Sequence, residues 1–204
     1  MSQDNPTRGK IGILIEEHFD DAELHAFNHR FSERGYVVEY MSHLWGRRSL
    51  CFRGHDSPHA SQVEVHVEVA VADPSDYRGI VLIGAMAMDR LRYEVSPRQG
   101  EPCNAPAVVF LRRAAAVPGL KIGAVCHALW LYTAAPALLA GKRVTCAHNI
   151  LHDVINAGGV VMFKAAGGTE DTWVDGDLVT ARHPEVLESF IDLFIAQIEQ
   201  QHAE

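Results

Sequence analysis

Basic charge is scarce in this chain. The 18 lysines and arginines stand against 26 aspartates and glutamates in 204 residues, a formal net charge of -8. Surfaces that bind nucleic acid or anionic membranes in general need a basic excess, so neither is an expected partner, and small molecules or other proteins are. Long apolar runs are missing too. The best candidate, 105–117, is interrupted by Arg112 and Arg113 and falls short of a membrane span. The polar first ten residues have no apolar core for a signal peptide or anchor, which leaves the cytoplasm as the expected location. Cys51, Cys103, Cys126 and Cys146 are scattered without metal-type pairing, as suits free thiols in a reducing compartment. No glycine-rich loop cradles a phosphate, because Gly158-Gly159 closes a helical pattern rather than opening one. Neither a cofactor nor a metal is expected.

What is present is an ordinary globular composition, 48% apolar and 22% charged, in a length that suits one domain. Residues 1–9 read as a flexible N-terminal segment and 10–204 as a single domain. The apolar run 10–15 reads as a buried strand, with Asp20 or Asp21 capping a helix in which Leu24, Phe27 and Phe31 recur at helical spacing up to Gly35. Residues 36–42 are the next strand, and strand, helix, strand at this spacing opens a doubly wound parallel sheet. Residues 43–62 break the rhythm with Trp45, Arg47, Arg48, Cys51, Arg53, His55 and His59 among glycine, serine and proline. This stretch reads as an enlarged, ordered excursion near a site or a subunit contact.

Alternating Val63, Val65, Val67 and Val69 predict one half-exposed strand over 62–72, at an edge or antiparallel. Further strands are expected at 79–84, 121–125, 143–146 and 160–164, and a helix at 107–117. An Asp175-Gly176 turn makes 173–180 a hairpin, and 184–200 is an amphipathic closing helix.

The chemistry concentrates at 121–131. A buried strand runs straight into Cys126-His127, and an apolar, helix-favouring run begins at once behind them, interrupted near Pro136. A cysteine at such an elbow faces unpaired N–H groups that favour an anion, so its thiolate fraction is expected to rise and the same groups to stabilise an oxyanion. A lone cysteine at a strand end is more often a small core residue; the elbow pattern and adjoining histidine favour a nucleophile.

At this point the chain resembles the ThiJ/PfpI superfamily, the group that includes the parkinsonism-associated deglycase and the PfpI protease. The likeness is carried in order by His18-Phe19-Asp20-Asp21-Ala22-Glu23-Leu24, the Gly84 turn, Ala124-Val125-Cys126-His127, 139–145, 153–159 and 174–182. The PfpI-like branch, with histidine directly after the cysteine, is the most similar. The resemblance implies an α/β fold, a flavodoxin-like three-layer sandwich with a mainly parallel sheet and a nucleophile elbow. It implies a homo-oligomer with Cys126 as nucleophile, His127 as its companion and Asp20 in the place of the family's usual glutamate, beside the sulfur as proton donor or acceptor. Some isonitrile-hydrating relatives carry aspartate there.

By the same resemblance, Gly84-Ala85 stands where an oxyanion-hole Gly-Gly is usual. Asp89 matches an acidic position presented to a neighbouring subunit's histidine, and a solvated helix carboxylate is the alternative. Ala128 replaces a common glycine, Ala147 an active-site tyrosine or histidine, and His148 is placed to substitute for the latter. Trp130 is expected in the core or as a pocket floor. His25 and His29, at i and i+4, have metal-chelating spacing, but no third ligand completes a set and they read as exposed helix histidines. The expected activity is a cofactor-free, cysteine-dependent reaction on a small electrophile, by lyase, hydratase or amide hydrolase chemistry. The alternatives are an oxidation-sensing or stress-protective protein using Cys126, or a scaffold that has lost turnover.

Overall fold

The computed structural model describes residues 7–56 and 58–200. Most of the expected N-terminal segment and the last four residues lie outside that range. The elements in chain order are β1 (Lys10–Leu14), α1 (Asp21–Glu33), β2 (Val37–Ser42), β3 (Leu50–Arg53), β4 (Gln62–Val65), β5 (Val67–Glu68) and β6 (Gly79–Leu82). They continue with α2 (Ala87–Leu91), α3 (Pro106–Ala116), β7 (Lys121–Val125), α4 (Trp130–Thr133), α5 (Pro136–Leu139) and β8 (Arg143–Val144). The chain ends through α6 (Leu151–Asn156), β9 (Val160–Val161), β10 (Thr172–Asp175), β11 (Leu178–Ala181) and α7 (Leu187–Gln200).

Seven strands form the main sheet in the order β10-β11-β7-β6-β1-β2-β5. Every neighbouring pair is parallel except β10 with β11, which is the hairpin through Asp175-Gly176. β6, β7 and β11 are buried along their whole length, as strands covered by helices on both faces must be. One covering layer is α1 with α7. Phe27 and Phe31 of α1 meet Phe190 and Phe194 of α7 at ring separations of 6.4 and 6.2 Å. All four rings are fully buried, and each is worth about 1.5–3 kcal/mol of apolar transfer. Gly123 lets α7 approach β7, since a Cβ there would stand 2.7 Å from Phe190 Cζ. The opposite layer is built from α2 to α6, which pack on one another around α4. No helix among the described residues is long and apolar enough to cross a membrane.

Two expectations change. Residues 62–72 are not one strand: β4 pairs antiparallel with β3 in a separate two-stranded sheet, while β5 joins the edge of the main sheet beside β2. The strand expected at 143–146 is reduced to β8, which pairs with β9 away from the main sheet and leaves Thr145 and Cys146 to run back toward the elbow. The helix behind the elbow is divided by Pro136 into α4 and α5, because proline has no N–H to continue the ladder.

Because β1, β6 and β7 are parallel neighbours, the segments leaving their C-terminal ends converge on one edge of the sheet, where open α/β sheets place their sites. The described residues of the 43–62 excursion reach this edge. Asp21 fastens them by accepting the amide hydrogens of Asp56 at 3.0 Å and Ser61 at 2.6 Å. The His55 N–H adds a bond to the Phe19 carbonyl at 3.0 Å.

Candidate active site

Strand β7 ends in a forced turn. Cys126 has φ of 57°, and Ala85, opposite it after β6, has φ of 55°. Left-handed backbone costs a residue with a Cβ about 1–2 kcal/mol, and such strain gathers where a site needs one backbone geometry. Flanking bonds hold the turn: Cys126 N–H to Ala181 C=O at 2.9 Å, and Ala147 N–H to Cys126 C=O at 3.2 Å. The backbone N–H groups of His127 and Ala85 donate to the Cys126 sulfur.

The carboxyl group packed against this elbow is Glu23. It is fully buried on the first turn of α1, and Oε2 accepts the Gly84 N–H at 2.6 Å. Oε1 has no partner among the described residues. A Cβ built on Gly84 would lie 2.4 Å from that Oε1 and 3.0 Å from Cys126 Cβ, so the glycine is what allows acid and elbow to meet. Burial first, then the nearby Asp20 charge, pushes the Glu23 carboxyl well above the usual carboxylate range, against the lowering effect of the Gly84 N–H.

The thiol shifts the opposite way from the sequence expectation. Burial, then the charges of Glu23 and Asp20, raise Cys126 to about 12 despite the two N–H donors. The helix contributes little, because α4 starts at Trp130 and has four residues. A Glu23 that holds its proton removes its share of the repulsion and becomes a hydrogen-bond donor beside the sulfur.

A cleft of about 870 Å³ opens over the sulfur. Asp20, Ala85, Cys126, His127, Ala147 and His148 line it, joined by His55 and Asp56 from the excursion. Asp20 is the N-cap of α1, with Oδ1 accepting the Glu23 N–H at 3.0 Å. The N–H of Gly84, expected in an oxyanion hole, is occupied by Glu23, so the donors at the sulfur are those of Ala85 and His127.

His127 Nε2 meets Asn149 Oδ1 at 2.8 Å, and Nδ1 is buried without a partner among the described residues. With the amide oxygen as acceptor, Nε2 carries the hydrogen and Nδ1 is left with its lone pair. Trp130 does not line the cleft. Its ring packs 4.9 Å from that of His127, and its Nε1 donates to Asp153 at 2.8 Å. His148 lines the cleft, and its Nε2 accepts the Thr169 N–H at 3.4 Å. Asp89 lies outside, held by the Arg92 guanidinium at 3.1 Å through Nε. The i, i+4 histidines have separate partners, His25 with Ser61 at 3.1 Å and His29 with Glu33 at 3.3 Å.

Glu23 and Asn149 are the residues that sequence reasoning passed over. Asp20-x-x-Glu23 has the form of a capping box, which would have drawn attention to Glu23 as the acid facing back over the helix start. Half of that box is made, by Asp20, while Glu23 turns to Gly84 instead. Nothing in the sequence around Asn149 marks it.

The profile of the DJ-1/PfpI family matches residues 9–197. An uncharacterized Staphylococcus haemolyticus protein is 27% identical over 190 residues, covering 93% of this chain and 98% of that one. A Bacillus subtilis protein named "Putative cysteine protease YraA" is 28% identical over 181 residues, 89% of this chain and 93% of its own. Among solved structures, a two-domain Anabaena variabilis protein with DJ-1/ThiJ/PfpI-like and ferritin-like domains superposes with a TM-score of 0.77 at 25% identity, over 94% of this chain. The chain spans about half of that protein, 48%. Drosophila melanogaster DJ-1beta superposes with a TM-score of 0.72 at 13% identity over 94% of both chains, a likeness of fold. With a parallel sheet, a strained cysteine elbow and a match over nearly its whole length, the chain belongs to the DJ-1/PfpI family.

Proposed function

We propose that this protein is a cysteine-dependent enzyme acting on a small electrophile, an aldehyde or related carbonyl compound, with Cys126 as nucleophile. The observation that carries the reading is Glu23: a fully buried acid with one oxygen uncommitted among the described residues, packed against the elbow of a cysteine that opens into a cleft. A buried carboxyl held by a single amide hydrogen has a large desolvation cost, and a proton to deliver to a reacting atom is a reason to maintain it.

In the reaction, His127 Nδ1 takes the thiol proton as the sulfur–carbon bond forms. The carbonyl π electrons move to oxygen, which receives the proton of Glu23. The product is a hemithioacetal, with an imidazolium and a carboxylate left beside it and no proton gained or lost. The N–H groups of Ala85 and His127, aimed at the sulfur in the resting site, face the charge as it passes to oxygen. Asp20, the α1 cap, lies in the wall of the same cleft. The recessed sulfur, on a residue 8% exposed, suits a compact substrate better than a folded polypeptide.

The test is turnover of methylglyoxal, short peptides and isonitriles by the wild type and by Cys126→Ser. The expected result is turnover of the aldehyde, abolished in the variant. Turnover that survives the loss of the thiol overturns the reading.

A further inference from the structure

Cys146 takes no part in the chemistry above, yet it borders the same cleft as Cys126. The residue is almost fully buried, 1% exposed, and its sulfur has no hydrogen-bond partner among the described residues. The Ala147 N–H, one peptide from Cys146, donates to the carbonyl of Cys126 itself at 3.2 Å. With standard backbone dimensions, that bond keeps the two Cα atoms within about 8 Å even if every intervening vector were collinear. A real hydrogen bond is bent, so the separation is shorter than that bound and approaches the range of about 4.5–7 Å that a disulfide requires. Neither thiol is in a disulfide.

We infer that Cys146 is a resolving thiol for Cys126, so that hydroperoxides convert the pair to an intramolecular disulfide at the floor of the cleft. In the first step the Cys126 sulfur attacks one peroxide oxygen and the O–O bond breaks. With hydrogen peroxide the products are sulfenic acid and one water, the sulfur being oxidised and the peroxide reduced. In the second step the Cys146 sulfur attacks the Cys126 sulfur. The S–S bond forms, the S–O bond breaks, and the departing hydroxyl leaves as water with the Cys146 proton. A neighbouring thiol inside the same cleft intercepts the sulfenic acid before a second peroxide can carry it to sulfinic acid, which thiols do not reverse. Burial raises both thiols to about 12, which keeps them protonated at neutral pH and makes the first step slow. The disulfide removes the nucleophile and a dithiol restores it, which makes the site reversible by redox state.

The inference rests on the accessibility of Cys126 to small molecules and not on turnover. It is tested in the full chain with Cys51→Ser and Cys103→Ser, which removes the other two thiols. The protein is treated with at least two equivalents of hydrogen peroxide, enough to carry a thiol to sulfinic acid, and peptides are mapped by mass under non-reducing conditions. The expected result is a linked Cys126–Cys146 peptide lighter by two hydrogens and reopened by dithiothreitol. Adding Cys146→Ser is expected to redirect Cys126 to sulfinic acid, heavier by two oxygens and not reduced by dithiothreitol. Cys146→Ala, which keeps an apolar side chain in the core, gives the same readout should serine unfold the protein. A parent protein that accumulates sulfinic acid at Cys126 while Cys146 remains free for alkylation after unfolding overturns the inference. Disulfide formation without aldehyde turnover would overturn the proposed reaction and leave the thiol pair standing; turnover with sulfinic acid would do the reverse.

Discussion

Glu23 accepts the Gly84 amide hydrogen through one oxygen and leaves the other, beside the Cys126 elbow, without a partner among the described residues. This ties the helix start, the turn after β6 and the nucleophile into one unit whose proton content decides its reactivity. A carboxyl whose folded pKa is raised stabilises the fold fully below its unfolded value near 4.5, and that contribution is lost as pH climbs through the folded value. Glu23→Gln removes the ionisation. The denaturation midpoint of the wild type should therefore decline relative to the variant as pH rises above about 4.5, measured by urea titration at a series of pH values. Turnover in the variant should fall by about 100-fold or more, the usual worth of a positioned acid. Parallel pH curves for the two proteins would mean that Glu23 ionises normally.

Asp21 makes a second prediction, about the wall of the cleft. Its burial pushes the carboxyl up, but the amide hydrogens of Ser61 and Asp56, the Ser61 hydroxyl and His55 together outweigh that and hold it below the usual range. The stabilisation is thus present above about pH 4 and is lost as pH falls through the folded value. Asp21→Ala should cost about 1–3 kcal/mol by removing two hydrogen bonds from partly buried amides to a carboxylate. Hydrogen exchange should accelerate selectively at Asp56 and Ser61. Uniform acceleration, or none, would show that the excursion is held by something other than this carboxylate.

Much of this was legible in the chain, for identifiable reasons. The strands β1, β6 and β7 are short apolar runs between turn residues, and the Asp175-Gly176 turn forces a hairpin, so local pattern and tertiary placement agree. Residues 62–68 mislead because alternation reports which face is buried and not which strand lies beside it. One alternating stretch therefore serves two sheets. The cysteine was visible because its elbow is local. Its acid was assigned to Asp20, and the inward turn of Glu23 was not visible because it depends on Gly84, 61 residues away.

Asn149 is placed to act through His127. Its amide oxygen, 2.8 Å from Nε2, fixes the ring and its tautomer and leaves Nδ1 as the available base. Asn149→Ala should lower kcat on the order of a hundredfold with KM little changed, because the ring loses its orientation while the cleft keeps its shape. Asn149→Gln, which can still present an amide oxygen, should recover part of the rate. A change confined to KM would make Asn149 a substrate contact rather than a positioning residue.

Ala85 allows a last prediction, one that separates strain from function. Its φ of 55° lies where a Cβ crowds the following carbonyl, and bonds on either side hold it there: a bridge to Phe19 and the Met86 N–H to His18 C=O at 3.0 Å. Glycine at this position relieves about 1–2 kcal/mol of left-handed strain but loses more backbone entropy on folding, about 0.5–1 kcal/mol. The two effects oppose, and the strain is the larger. Ala85→Gly should therefore stabilise the protein by about 0.5–1 kcal/mol, read as a higher urea midpoint at unchanged slope. Turnover tests what the alanine does. If Ala85 is there to hold its N–H on the sulfur, the more mobile glycine lowers the rate while raising stability. If the rate is unchanged, backbone bonds alone position the donor, and the alanine is a departure that the site tolerates. A destabilised variant would show that the Cβ makes packing contacts worth more than the strain it carries.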